Sequence, residues 1–189
     1  MGGSEPDHRK RAFLALPLPD EQRRSLAAFV EECADRAPDY RWVPAANLHL
    51  TLRFLGSVET PRLALLGERL QQVTSPGFEL ELDGTGGFGP RAGPRVVWMG
   101  VGRGREECRA LAEGIEAACR GLGLEPESRP FRAHVTLARA RLQRSRLPEL
   151  PPPPRLRPWQ VSDFVLYESR LGGRAAQYLE LERYPLGET

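Results

Sequence analysis

Apolar positions alternate with polar ones along several short stretches of the chain and recur at helical spacing along others, so strands and helices can be read in order. Residues 11–16 (RAFLAL) form a first strand. Pro19 and Asp20 open an amphipathic helix with Leu26, Phe29, Val30 and Cys33 at helical spacing, and Pro38 closes it. Residues 47–56 (NLHLTLRFLG) alternate strictly. Leu48, Leu50, Leu52 and Phe54 face one way, and Asn47, His49, Thr51 and Arg53 the other, as in a half-buried strand. A helix over 60–73 carries Leu63, Leu66 and Leu70, and 78–82 (FELEL) is another strand. A strand at 95–101, a helix over 105–122 with Leu111, Ile115 and Cys119 on one face, and a strand at 131–139 (FRAHVTLAR) follow. Residues 143–158, rich in Pro and Arg, read as a long surface connection. Residues 159–169 and 176–186 read as an antiparallel pair around Gly172 and Gly173.

This order repeats. His49-Leu50-Thr51-Leu52 recurs as His134-Val135-Thr136-Leu137, 85 residues later and nearly half the chain length away. Each copy lies on an alternating strand that follows a helix. The expected fold class is therefore α+β and bilobal, with two pseudo-twofold-related antiparallel sheets, helices packed outside and a central cleft. Residues 1–10 read as a disordered tail, and 11–189 as a single bilobal domain with His-x-Thr-x motifs at 49–52 and 134–137.

Composition narrows the function. A net charge of +2 offers no broad field for a long nucleic acid, so a phosphate ligand needs only a local basic pocket. Lys10 is the sole lysine, and the arginine excess matches general GC-rich coding bias. Three widely spaced cysteines contain no CxxC pair and predict reduced thiols. The N-terminal stretch has no signal-peptide core and no apolar run reaches membrane-spanning length, so a cytoplasmic protein without a membrane role is expected. The histidines lack zinc spacing, so neither a metal nor another cofactor is expected.

Strand geometry gives the repeat its chemical meaning. Residues i and i+2 leave a strand on the same face, so His49 goes with Thr51 and His134 with Thr136. Packing about a twofold axis would bring two imidazoles and two hydroxyls to one cleft. One imidazole can accept a proton while the other donates one, and threonine hydroxyls can donate to phosphate oxygens. A lone His-x-Thr means little, but a pair at equivalent places in a repeat suits phosphodiester hydrolysis without metal. His8, in the charged tail, carries no such signal. Gly84–Gly89 matches GxGxxG literally, but a strand follows it instead of a helix, so a Gly-rich hairpin loop joining the lobes is the better reading. Phe13 and Trp42 are candidates to stack on a base, with core packing as the plainer alternative for each.

The chain resembles the 2H phosphoesterase superfamily, and within it the LigT/ThpR branch of RNA 2′,3′-cyclic phosphodiesterases, also called the 2′-5′ RNA ligase family. The resemblance rests on 11–18, Trp42-Val43-Pro44 before NLHLTLRFLG, GGFGPRAGPRVVW, FRAHVTLAR and the terminal strands ending in YPL. It implies RNA with 2′,3′-cyclic phosphate ends as substrate and 2′-phosphate as product. It also implies His49 as proton donor, His134 as proton acceptor, Thr51 and Thr136 beside them, and Arg139 as a phosphate-holding group. Strict alternation puts Arg139 opposite His134 unless the strand ends or bulges, and makes Arg132 a rival. Ala133 stands where such enzymes often carry Pro. Small cyclic nucleotides as substrate, 2′-5′ RNA ligation, or a non-catalytic RNA-end binding module are the alternatives. A monomer with no obligate protein partner is expected.

Overall fold

The computed structural model describes residues 8–90, 93–142, 146–172 and 176–187. The strands are Arg9–Pro17 (β1), Tyr40–Trp42 (β2), His49–Glu59 (β3), Phe78–Leu80 (β4), Leu82–Phe88 (β5), Val96–Val101 (β6), His134–Ala140 (β7), Trp159–Val161 (β8), Asp163–Arg170 (β9) and Gln177–Pro185 (β10). The helices are Asp20–Arg36 (α1), Thr60–Leu70 (α2) and Arg105–Arg120 (α3). Pro61 sits in the first turn of α2, where its missing N–H costs no helical bond. Among the described residues no helix is long and apolar enough to cross a membrane.

Eight strands pair antiparallel in the order β10-β9-β1-β3-β7-β6-β5, with β2 also on β7. The halves β10-β9-β1-β3 and β2-β7-β6-β5 are joined between β3 and β7 by one residue pair, Leu50 with Val135. The helices fill one side: α1 packs on β2, and α3 packs on α2 and on β3 of the other half. Leu14, Leu16, Leu50 and Leu137 share that core with Leu26 and Ile115. The mixed α/β architecture with antiparallel sheets agrees with the fold class expected from the repeat.

Two strands break the alternation on which the sequence reading relied. In the β1–β3 ladder Ala15 faces Thr51 and Leu14 faces Arg53, so Leu52 is an extra residue. A β-bulge of this kind exchanges the faces of the residues beyond it, here as far as a second shift at Leu55, after which Val58 is again buried. Arg53, expected beside His49, therefore turns to the helix side and is 8% exposed, while Phe54, expected with the leucines, is 51% exposed on the other face. The β6–β7 ladder has its shift at the equivalent place, Trp98 facing Thr136 and Val97 facing Ala138, which makes Leu137 the extra residue.

Arg53 pins α3 to the sheet. Its Nε donates to Glu116 at 2.6 Å, and its remaining nitrogens donate to the carbonyls of Phe54 and Glu125. Burial pushes the Glu116 carboxyl up, but hydrogen bonds from Arg120 and Arg53 outweigh it and hold the group below its ordinary value. Arg53→Ala is expected to cost about 3 kcal/mol, the low end for one-sided loss of a buried pair, since Arg120 still pairs Glu116. Urea unfolding measures this, and a loss under about 1 kcal/mol would place Arg53 among ordinary surface pairs.

Four other expectations are revised. β1 begins at Arg9, inside the segment read as tail, because Arg9 and Lys10 pair with Glu59 and Val58 of β3. The stretch 84–89 is not a loop joining lobes: most of it belongs to edge strand β5. Its glycines answer close packing, since a Cβ on Gly86 would lie 2.3 Å from the Trp98 ring and one on Gly87 2.5 Å from Pro94. The strand read over 159–169 is two strands, and β8 leaves to pair with β4. The strand at 131–139 starts only at His134. Residues 1–7, 143–145 and Gly173 lie outside the described residues.

Candidate active site

The face of the sheet away from the helices carries the candidate site. Ala12, Leu14 and Leu16 of β1 join the helix-side core, which leaves Phe13 and Ala15 to the other face. There Phe13 packs at a tilt against His49, ring centroids 4.8 Å apart, and Tyr178 of β10 meets the same imidazole edge-on at 5.3 Å. Phe88 meets His134 edge-on at 5.0 Å. The two imidazoles are thus walled by aromatic rings from strands on either side of the central pair.

Both histidines are tied in the same way. Nδ1 of His49 lies 2.8 Å from the carbonyl of Asn47, and Nδ1 of His134 lies 2.6 Å from the carbonyl of Arg132. A carbonyl only accepts, so each Nδ1 carries the proton and donates. Nε2 is then the nitrogen whose proton can come and go. On His49 it is 3.0 Å from the Thr51 hydroxyl, which donates to it when the imidazole is neutral.

Burial governs the titration of both groups. It pushes His49 down to about 4, against the upward pull of the Asn47 carbonyl, with the charges of Arg139 and His134 adding to the fall. His134 is also lowered, by burial first and by Arg139, against the Arg132 carbonyl. Both imidazoles are therefore neutral at pH 7 in the free protein, and an anion between them would raise both.

A cavity of about 450 Å³ has Phe13, His49, Thr51, Phe54, Thr136 and Arg139 in its walls. His134, one same-face step before Thr136, stands just outside those walls. Arg139 reaches the cavity because the Leu137 bulge returns it to the face of His134. Arg132 does not line the cavity: its side chain is exposed and its carbonyl serves His134. Trp42 lies elsewhere too, since its Nε1 donates to the Ala37 carbonyl at 3.0 Å and its ring packs on the core. Among the wall residues that the sequence does not mark as site residues are Arg11, Asn47, Phe54 and Tyr178. Only Asn47 left a signal, by standing two residues before His49 as Arg132 does before His134. Among the described residues no group of three His, Cys, Asp or Glu side chains is placed to hold a metal ion.

Comparison with known proteins follows the same line. The family described as LigT like Phosphoesterase matches residues 16–98 and 101–176. The chain is 37% identical over 187 residues to the RNA 2′,3′-cyclic phosphodiesterase of Thermus thermophilus, covering 93% of this chain and 90% of that protein. It is 33% identical to a protein of the same name from Geobacillus stearothermophilus, over 94% of this chain, and spans 58% of that relative's length. Its fold superposes on Escherichia coli LigT complexed with 3′-AMP at a TM-score of 0.82 and 32% identity, covering 94% of this chain and 98% of that one.

Proposed function

Because the chain belongs to the LigT like Phosphoesterase family, we propose that it hydrolyses the 2′,3′-cyclic phosphodiester at RNA ends to a 2′-phosphomonoester, with His49 and His134 as a metal-independent acid–base pair. The relatives' name, RNA 2′,3′-cyclic phosphodiesterase, supplies the substrate class. The observation that carries the mechanism is the matched tethering of the two imidazoles: each Nδ1 is committed to a carbonyl two residues back, which reserves each Nε2 for proton transfer. Residues 11–189 are read as one working unit, since the two motifs lie on strands from different halves.

In this reading the strained five-membered ring leaves two tasks. Nε2 of His134 takes a proton from water as the water oxygen bonds to phosphorus. The bond from phosphorus to the 3′ oxygen breaks, and Nε2 of His49 gives its proton to that oxygen, leaving the phosphate on the 2′ oxygen. Exchange with solvent restores both protonation states. Thr51 is coupled to this cycle. Once His49 Nε2 is protonated, the Thr51 hydroxyl accepts from it and can turn its own proton to a phosphate oxygen. Thr136 and the guanidinium of Arg139 are the further donors in reach of the same oxygens.

Incubation with a 2′,3′-cyclic nucleotide in EDTA tests the proposal. Turnover at an undiminished rate is expected. Complete loss, restored by a divalent cation, would overturn the two-histidine mechanism.

A further inference from the structure

We infer that Arg11 binds the phosphate joining the terminal nucleotide to the rest of the RNA chain, so that the site grips one nucleotide by its phosphates at both ends. The inference rests on the proposed cyclic-phosphate reading and adds a position to it.

Arg11 is an exposed residue of β1 in the wall of the same cavity as Thr51 and Arg139. Its neighbours are neutralised: Arg9 pairs with Glu59 and Lys10 with Glu168. The Arg11 side chain has no hydrogen bond or ion pair among the described residues. Its charge is therefore available to a ligand.

Strand register fixes where that charge lies. Ala15 of β1 faces Thr51, and Arg11 faces Ser57. Arg11 thus stands four residues along β1 from the threonine, roughly 13 Å at strand spacing and less by the length of its own side chain. β3 and β7 run antiparallel through Leu50 and Val135, so β7 carries Arg139 the opposite way. Arg11 and Arg139 are the two ends of the cavity. Between Thr51 and Arg11 lie the rings of Phe13 and Phe54, 6.0 Å apart.

The order along the cavity is therefore cation, hydroxyls, aromatic rings, cation. That is the order of groups a terminal nucleotide presents: the cyclic phosphate, the nucleoside, then the 5′ phosphate that continues the chain. A cyclic phosphate ends its strand, so the polymer can leave only past the second cation. Arginine suits this place because its planar fork binds phosphate oxygens in pairs.

Two substrates test this: a nucleoside 2′,3′-cyclic phosphate with a free 5′ hydroxyl, and the same compound bearing a 5′ phosphate. The protein is expected to favour the second in kcat/KM, through KM, and more strongly at low salt. Arg11→Ala should reduce that ratio about tenfold or more, the scale of a charge-assisted hydrogen bond, and Arg11→Lys should recover part of it. Direct binding of a nucleoside 2′-phosphate and of its 2′,5′-bisphosphate gives the same ratio without turnover. A ratio near one in the unmodified protein, or a ratio that Arg11→Ala leaves unchanged, overturns the inference. If neither substrate is hydrolysed, the cyclic-phosphodiesterase reading fails, while the binding ratio still decides Arg11.

Discussion

His49→Ala and His134→Ala should each lower turnover of a 2′,3′-cyclic nucleotide by about 10²–10⁴-fold, the range of a single general acid or base. Neither imidazole belongs to the helix-side core, so melting temperatures should stay near that of the parent. The double variant should be little slower than either single one, because acid and base act in one step. Thr51→Val and Thr136→Val each remove one neutral donor, of the order of 1 kcal/mol, and should act more mildly. The roles are separable by leaving group. A substrate whose 3′ oxygen leaves readily needs less protonation and should partly rescue His49→Ala and not His134→Ala. The assignment asks something of the ligand. In the free protein the deeper fall of His49 makes it the weaker base, so the bound phosphate must supply the proton affinity that makes it the donor. Rescue of His134→Ala alone would invert the roles, and activity within about tenfold of the parent in either single variant would remove that histidine from catalysis.

The second large effect is on pH. One imidazole must be charged and the other neutral, so kcat/KM should follow a bell. With both groups lowered from 6.5 by burial, the top of that bell should lie on the acid side of 6.5. Beyond the upper limb the acid loses its proton and kcat/KM should fall about tenfold per pH unit, a loss of two or more orders of magnitude by pH 9. The bound substrate carries negative charge, which favours the imidazolium, so the kcat profile should lie at higher pH than the kcat/KM profile. Sequence reasoning, with only unperturbed histidines to use, places the limbs on either side of ~6.5. A kcat/KM profile flat from pH 5 to 9, or one whose alkaline limb lies well above 7, would contradict the burial-driven shift.

The repeat was legible because its information is local. Two copies of His-x-Thr on alternating strands give the face, the partner residues and the pseudo-symmetry from spacing alone. What was hidden depends on the neighbouring strand. Nothing in LTLRFLG announces that Leu52 goes unpaired; the ladder to β1 decides it, and with it the exchange of Arg53 and Phe54. The glycines at 86 and 87 read as loop by composition, yet the Trp98 ring on the adjoining strand and Pro94 just before that strand are what exclude side chains there. Spacing alone runs β8 into β9, because the partner that draws β8 away, β4, lies about eighty residues earlier in the chain. Trp42 and Phe13 looked alike as candidate stacking residues. The short pairing of β2 with β7 sends one to the core, and the phase of β1 sets the other, 2% exposed, into the cavity wall among the rings of His49, Phe54, Tyr167 and Tyr178.

The bulges at Leu52 and Leu137 also say what kind of genetic change these strands can absorb. Five positions separate His134 from Arg139, an odd count that a flat ribbon would resolve into opposite sides. The extra Leu137 corrects that parity, as Leu52 does for the three places from Thr51 to Phe54. A substitution at either leucine alters one side chain. Loss of the codon would remove the bulge together with its residue and leave a regular ladder, in which Arg139 keeps the face of His134 and Arg53 the helix side. At these two places, unlike the regularly paired ones, a strand can shorten by one residue and keep every remaining side chain on its face.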